Sequence, residues 1–282
     1  MAVELKGAPV AAAINERSQS ELEALLGRGI HPTLAIVRVG EREDDIAYEN
    51  GAVKRCEKVG VAVSRVVLPE NISQDELLNR IFALNTDASV HGVLVLMPLP
   101  KQLDGEAVRR ALAPEKDVDG ITDGSLTGVF TGSGNGFAPC TAQACIEILD
   151  HYGIDCKGKK AVVIGRSLVV GKPVAMLLLA KHATVTICHT RTVDMPSVAR
   201  DAEILIAAAG KARAITAAYL SENQTVIDVG INFIDGEMCG DVDYSAASPL
   251  VSAITPVPGG VGTVTTSVLV SHVVEAAKRQ NS

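Results

Sequence analysis

A chain of 282 residues is long enough for one large or two ordinary domains. With 47% apolar and only 3% aromatic residues, and no Trp, it implies an aliphatic core, and its wealth of Ala, Val, Gly and Ile favours α/β layers. The net charge of −7 argues against a nucleic-acid scaffold; no run is long enough for a membrane span, and the opening MAVELKGAPV does not read as a signal peptide.

In chain order, Ala8–Leu26 has helical periodicity, and Thr33–Val39, Ala62–Leu68 and Val90–Met97 read as strands. Between them Asp44–Val59 and Ser73–Leu84 read as helices, the latter opened by the capping-box pair Ser73 and Glu76. This β-α-β-α-β order implies a parallel sheet. The Gly-, Ser- and Thr-rich stretch 124–139 predicts a loop or linker, followed by a helix over Ala142–Tyr152. A second series then begins: strand 161–165, helix 173–181, strand 184–188, helix 196–200, and strands 203–208 and 225–229. Val268–Lys278 is an amphipathic closing helix. Two α/β lobes with a cleft between them are expected, since ligands of such folds sit there. Cys56, Cys140, Cys145, Cys156, Cys188 and Cys239 lack metal spacing and read as reduced, mostly buried thiols of a cytoplasmic protein.

The most informative stretch is Lys159–Pro173. An apolar strand ends at Gly165, Arg166 and Ser167 follow, and Gly171-Lys172-Pro173 opens a helix. Pro173 suits a first helical turn, where a missing N–H has no partner to lose. A strand, a Gly-bounded loop and a helix N-terminus make an anion site, which points to a dinucleotide. The spacing differs from G-x-G-x-x-G. In such a unit an acid after the second strand reads the ribose 2′-OH of NAD, and a basic residue accommodates the 2′-phosphate of NADP. Here His189-Thr190-Arg191-Thr192 follows that strand with no acid before Asp194. Thr190, Arg191 and Arg166 therefore favour NADP.

Several segments together resemble the methylenetetrahydrofolate dehydrogenase/cyclohydrolase family: VLMPLP (95–100), KDVDG (116–120), GRSLVVGKP (165–173), TVIDVGIN (225–232), GDVDY (240–244) and TPVPGGVG (255–262). The resemblance implies a two-lobed homodimer. Residues 1–139 with the helix 266–282 would form a catalytic, folate-binding domain, and 140–265 a Rossmann-like NAD(P)-binding domain. It implies NADP-dependent oxidation of 5,10-methylenetetrahydrofolate, in most members followed by hydrolysis of the methenyl product. It assigns Tyr48 and Asp119 to catalysis and, with Leu96, Pro98, Pro258, Gly259 and Gly260, to the folate. Thr141, Gly165, Arg166, Ser167, Gly171, Pro173, Thr190, Arg191, Gly210, Gly230, Ile231 and Thr265 fall to the cofactor; no metal is implied.

The departures from the family pattern carry information of their own. The family has Tyr-x-x-x-Lys where this chain has Tyr48 and Ala52, and the Gln of VQLPLP stands here as Leu96. A Ser near the Tyr is replaced by Asp45. At roughly 100° per residue, Lys54 points about 200° away from Ala52. Hydride removal from the methylene bridge moves no proton and depends on positioning. Hydrolysis of the methenyl cation needs a tuned general acid–base near the amidine carbon, and Ala and Leu have none to offer. The expectation is a dehydrogenase with weak or absent cyclohydrolase. The alternatives are a bifunctional enzyme using Lys54 or Asp45 for the proton work, and a non-catalytic folate- or NADP-binding regulator.

Overall fold

The computed structural model describes residues 2–282. In chain order its elements are β1 (Val3–Glu4), α1 (Gly7–Leu26), β2 (Thr33–Val39), α2 (Glu43–Val59), β3 (Ala62–Leu68), α3 (Gln74–Thr86), β4 (Gly92–Val95), α4 (Gly105–Ala111) and α5 (Asp123–Thr131). They continue with α6 (Cys140–His151), β5 (Lys160–Ile164), α7 (Gly171–Ala180), β6 (Thr184–Cys188), α8 (Met195–Arg200), β7 (Ile204–Ala207) and β8 (Thr225–Asp228). The chain closes with β9 (Asn232–Ile234), β10 (Glu237–Cys239), α9 (Tyr244–Ala247), β11 (Ala253–Ile254) and α10 (Val261–Gln280). Two compact units result. One comprises Ala13–Cys140 with Thr266–Ser282; the other comprises the chain up to Ala12 with Thr141–Thr265.

The first unit is built on a parallel sheet in the order β3-β2-β4. Leu34, Ala35, Ile36 and Val37 of the central β2 are fully buried, as a continuous apolar run between two neighbours requires. Ala35 and Val37, on one face of the sheet, join Leu77, Ile81, Val93, Val95 and Val108 in its core. Ser73 caps α3 through the expected reciprocal pair, its side chain accepting from Glu76 N and its backbone donating to Glu76. The reading of 124–139 as a loop needs correction. Thr122 accepts from Ser125 N and starts α5, which runs to Thr131; Gly132, at φ 68°, ends it. The glycines and threonines of this segment mask a helix held by its cap and by tertiary packing.

The second unit carries a six-stranded sheet in the order β1-β11-β8-β7-β5-β6, every pair parallel. Val162, Ile164, Leu205, Val226 and Ile254 lie in its core. The strands β1 and β11 are two residues each, too short for a periodicity to show. An antiparallel hairpin, β9 with β10, turns at Asp235 and Gly236. The closing helix begins at Val261, seven residues before the expected start, because Gly262, Thr263 and Thr265 dilute the pattern that buried Val261 and Val264 carry. All six cysteines are buried and free. Among the described residues no helix is long and apolar enough to cross a membrane.

Candidate active site

Helix α2 presents one face inward through Glu49, Ala52, Cys56 and Val59, a 3–4 residue spacing. The buried Glu49 carboxylate fixes that face, accepting from Arg38 Nε at 2.7 Å and lying 3.2 Å from Arg65 Nε. Ala52 is completely buried, whereas Lys54 is exposed, as their angular separation predicts. Arg42, ahead of α2, donates to the Pro98 carbonyl at 3.0 Å and so ties the start of the helix to the turn after β4. Leu96 is buried at that turn and its N–H donates to the Val37 carbonyl at 3.0 Å. Asp45 is buried, 3.9 Å from Arg42 Nε.

The loop before α5 carries two aspartates of different character. Asp117 is wholly buried and accepts from Ile121 N at 3.0 Å, Thr122 N at 2.7 Å and Ser125 Oγ at 2.7 Å. Asp119 lies beside Tyr48 and Cys140. Burial and the Asp117 charge push its carboxyl up to about 7, while a hydrogen bond with the Cys140 thiol pulls the other way. Burial and the Asp119 charge in turn raise the Tyr48 phenol, and burial and Asp119 hold Cys140 as a neutral thiol. The structure thus brings Tyr48 and Asp119 together. Neither Ala52 nor Leu96 offers a titratable atom.

In the other unit, β5 delivers the chain to Gly165 at φ 132°, packed on the Ala208 carbonyl. A Cβ at Gly171 would strike the Gly165 carbonyl, so the loop closes on itself as only glycine permits. Ser167, expected at the cofactor, also organises the start of α7. Its Oγ accepts from Val170 N at 3.1 Å and Gly171 N at 3.4 Å, and its carbonyl accepts from Lys172 N. Those N–H groups are therefore spent on starting α7, and the Ser167 hydroxyl keeps a proton to donate. Pro173 is buried in the first turn of α7. Gly165 N donates to the Cys188 carbonyl, so the loop adjoins the end of β6. There Thr190 and Arg191 are exposed in a turn pinned by His189 N to Thr192 Oγ1, and Arg166 is exposed as well.

Gly230, Ile231, Pro258, Gly259 and Gly260 line one cavity of about 240 Å³, together with Asp228 and Met238. Two aspartates that sequence reasoning did not single out organise the backbone here, Asp228 in the cavity lining and Asp241 hydrogen-bonded to Asn232 and Gly210. Asp228 accepts from Gly230 N, Asp241 N and Val242 N, and burial pushes it up to about 6. Asp241 accepts from Gly210 N, Lys211 N and Asn232 Nδ2, which fixes Gly210. Their signal was the GDVDY segment and the Asp that ends β8. Thr141 is partly buried in the first turn of α6; Thr265 donates its hydroxyl to Gly262 O, within its own helix.

A family sequence profile described as "Tetrahydrofolate dehydrogenase/cyclohydrolase, catalytic domain" matches residues 5–119, and its companion "NAD(P)-binding domain" matches 139–281. The chain belongs to the tetrahydrofolate dehydrogenase/cyclohydrolase family. It is 49% identical over 279 residues to the Bifunctional protein FolD of Clostridioides difficile, covering 99% of this chain and 97% of that one. The bifunctional FolD of Campylobacter jejuni superposes with a TM-score of 0.96 at 38% identity, covering 99% of each chain. A Trypanosoma brucei member, solved with NADP and an inhibitor, superposes with a TM-score of 0.91 at 33% identity, covering 99% of this chain and 98% of that one. Family membership agrees with the parallel two-unit α/β architecture and with NADP as the cofactor.

Proposed function

We propose that this chain oxidises 5,10-methylenetetrahydrofolate to 5,10-methenyltetrahydrofolate with NADP, and that its hydrolysis of the methenyl product is weak. The observation that carries the second half is the apolar pair Ala52 and Leu96, both buried, where the family carries a proton-transfer Lys and its Gln partner. A positioned acid–base contributes about 10²–10⁴ in rate, so its loss weakens hydrolysis severely and leaves hydride transfer, which needs only alignment. In this reading ionised Asp119 accepts from the amino and N–H edge of the pterin, and Tyr48 packs against the folate. The assignment of Leu96, Pro98, Pro258, Gly259 and Gly260 to the substrate is part of the same proposal.

The nucleotide loop fits NADP. Its backbone cradle admits no side chain at Gly171, two exposed arginines adjoin it, and no acid stands ahead of Asp194. When bound, NADP supplies the hydride acceptor. Arg166, Arg191 and Thr190 would hold its 2′-phosphate, with the Ser167 hydroxyl as a further donor. Thr141, Gly165, Gly171, Pro173, Gly210, Gly230, Ile231 and Thr265 would line the rest, and a homodimer in the cytoplasm is the accompanying expectation.

The relatives' own name, bifunctional, favours a second reading in which another group transfers the proton. One experiment separates the two. Purified protein is given methylenetetrahydrofolate with NADP or NAD, and separately methenyltetrahydrofolate alone. Reduction of NADP with no methenyl loss above the buffer rate supports the first reading. Loss that vanishes in Lys54→Ala or Asp45→Asn establishes the second.

A further inference from the structure

We propose that His272, on α10, is a positioning residue for the folate-binding edge: together with the Cys140 thiol it holds the Val118 carbonyl and so fixes the backbone from which Asp119 projects. This rests on the reading of Asp119 as the pterin acceptor. The Val118 carbonyl immediately precedes Asp119 and lies 2.9 Å from His272 Nδ1. A carbonyl only accepts, so Nδ1 carries the proton in this contact. Cys140 Sγ lies 3.3 Å from the same carbonyl and 3.8 Å from His272 Nδ1.

The His272 ring is itself held. It lies 4.9 Å from the Phe137 ring at an interplanar angle of 33°. Phe137 carries the Arg279 guanidinium 4.5 Å above its centroid, and Arg279 donates to the Gly134 and Gly136 carbonyls. On the other side, the Val118 side chain is fully buried over Gly92, and Gly120 sits tightly against Phe137 and Pro139. The segment 118–120 is clamped from α10 and from 137–140.

The Val118 carbonyl has two lone pairs, and the His272 N–H and the Cys140 thiol both reach it. The ring N–H is the stronger donor of the two. Without it the carbonyl keeps only the weak thiol, and an under-satisfied acceptor is costly in a buried site. The backbone immediately before Asp119 then loses its main anchor, and the carboxyl its fixed direction.

The test uses His272→Phe, which keeps the ring against Phe137 but removes Nδ1–H, and His272→Asn, which keeps an N–H donor. His272→Phe is expected to raise KM for methylenetetrahydrofolate about tenfold, with kcat and KM for NADP within threefold of wild type; His272→Asn recovers most of the loss. Cys140→Ala is expected to raise KM for methylenetetrahydrofolate by a smaller factor, about threefold, and the double variant to exceed the two effects combined, because each donor alone still holds the one carbonyl. Wild-type constants in His272→Phe overturn the proposal. So does equal damage in Phe and Asn variants, or full additivity with Cys140→Ala. Should His272→Phe fail to fold, the Asn and Cys140→Ala variants decide: wild-type folate affinity in Cys140→Ala overturns it. Calorimetric binding of tetrahydrofolate to the same proteins reads the effect as Kd even if hydride transfer itself is absent, which separates failure of this proposal from failure of the catalytic reading.

Discussion

Ala52 is the residue on which the proposed division of labour turns. It sits on the inward face of α2, four residues after Tyr48, and is completely buried; Leu96 is buried after β4. If those two positions account for weak hydrolysis, restoring their chemistry restores the reaction. The double variant Ala52→Lys/Leu96→Gln is expected to raise methenyltetrahydrofolate hydrolysis at least tenfold over wild type, toward the 10²–10⁴ or so that a positioned acid–base provides. Hydride transfer should persist. A melting scan shows whether the new ammonium is tolerated, and a folded variant without gain removes Ala52 from the explanation. At the nucleotide end, Arg191 is exposed beside the end of β6 with no neighbouring acid ahead of Asp194. Arg191→Ser is expected to raise KM for NADP by about tenfold or more and leave KM for NAD nearly unchanged, since only NADP carries the 2′-phosphate that a guanidinium grips.

At the scale of elements, the short loop between Lys116 and α5 depends on one carboxylate. Asp117 satisfies two backbone N–H groups and the Ser125 hydroxyl in a site with no solvent. An amide presents one acceptor oxygen in place of two, so Asp117→Asn leaves a buried donor unpaired. The expected loss is about 1–3 kcal/mol in denaturant unfolding, against a few tenths for a change at exposed Asp123. That loop also shows where the sequence stopped being legible. Strands β2 and β5 were readable because buried parallel strands are nearly unbroken apolar runs, and α3 because its cap is written in two residues. Helix α5 was not, because its stability comes from Thr122, Asp117 and packing, while its own glycines argue for a loop. The site divided likewise. Tyr48, Asp119 and the Gly165–Gly171 loop stood out in the sequence, but Asp228 and Asp241 act by gathering backbone N–H groups from distant segments, and no local pattern records that.

Over the whole molecule, the two raised aspartates set how stability responds to pH. Asp119 titrates near 7 and Asp228 near 6 in the folded chain, against about 3.9 for an unfolded aspartate. Between these values the folded chain holds protons that the unfolded chain has released. Their contribution is therefore complete below about pH 4 and is lost as pH rises through 6 to 7. Exposed Glu76, Asp87 and Glu203 are lowered by their hydrogen bonds, and their contribution fades only as pH falls below the usual carboxylate range. Folate binding should have the opposite sign to the Asp119 effect. A pterin that donates to the Asp119 carboxylate selects its ionised form, so binding releases a proton. Affinity should then tighten by on the order of tenfold per pH unit between pH 5 and 7 and level off above. The melting temperature of the free protein is expected to decline across that window while the shift produced by tetrahydrofolate grows. Asp119→Asn removes the group responsible for both trends: its free-protein decline should be shallower, leaving Asp228 alone, and its weakened folate affinity should no longer depend on pH. A pH-dependent affinity that survives in Asp119→Asn would place the titrating group elsewhere and end the assignment of Asp119 to the pterin edge.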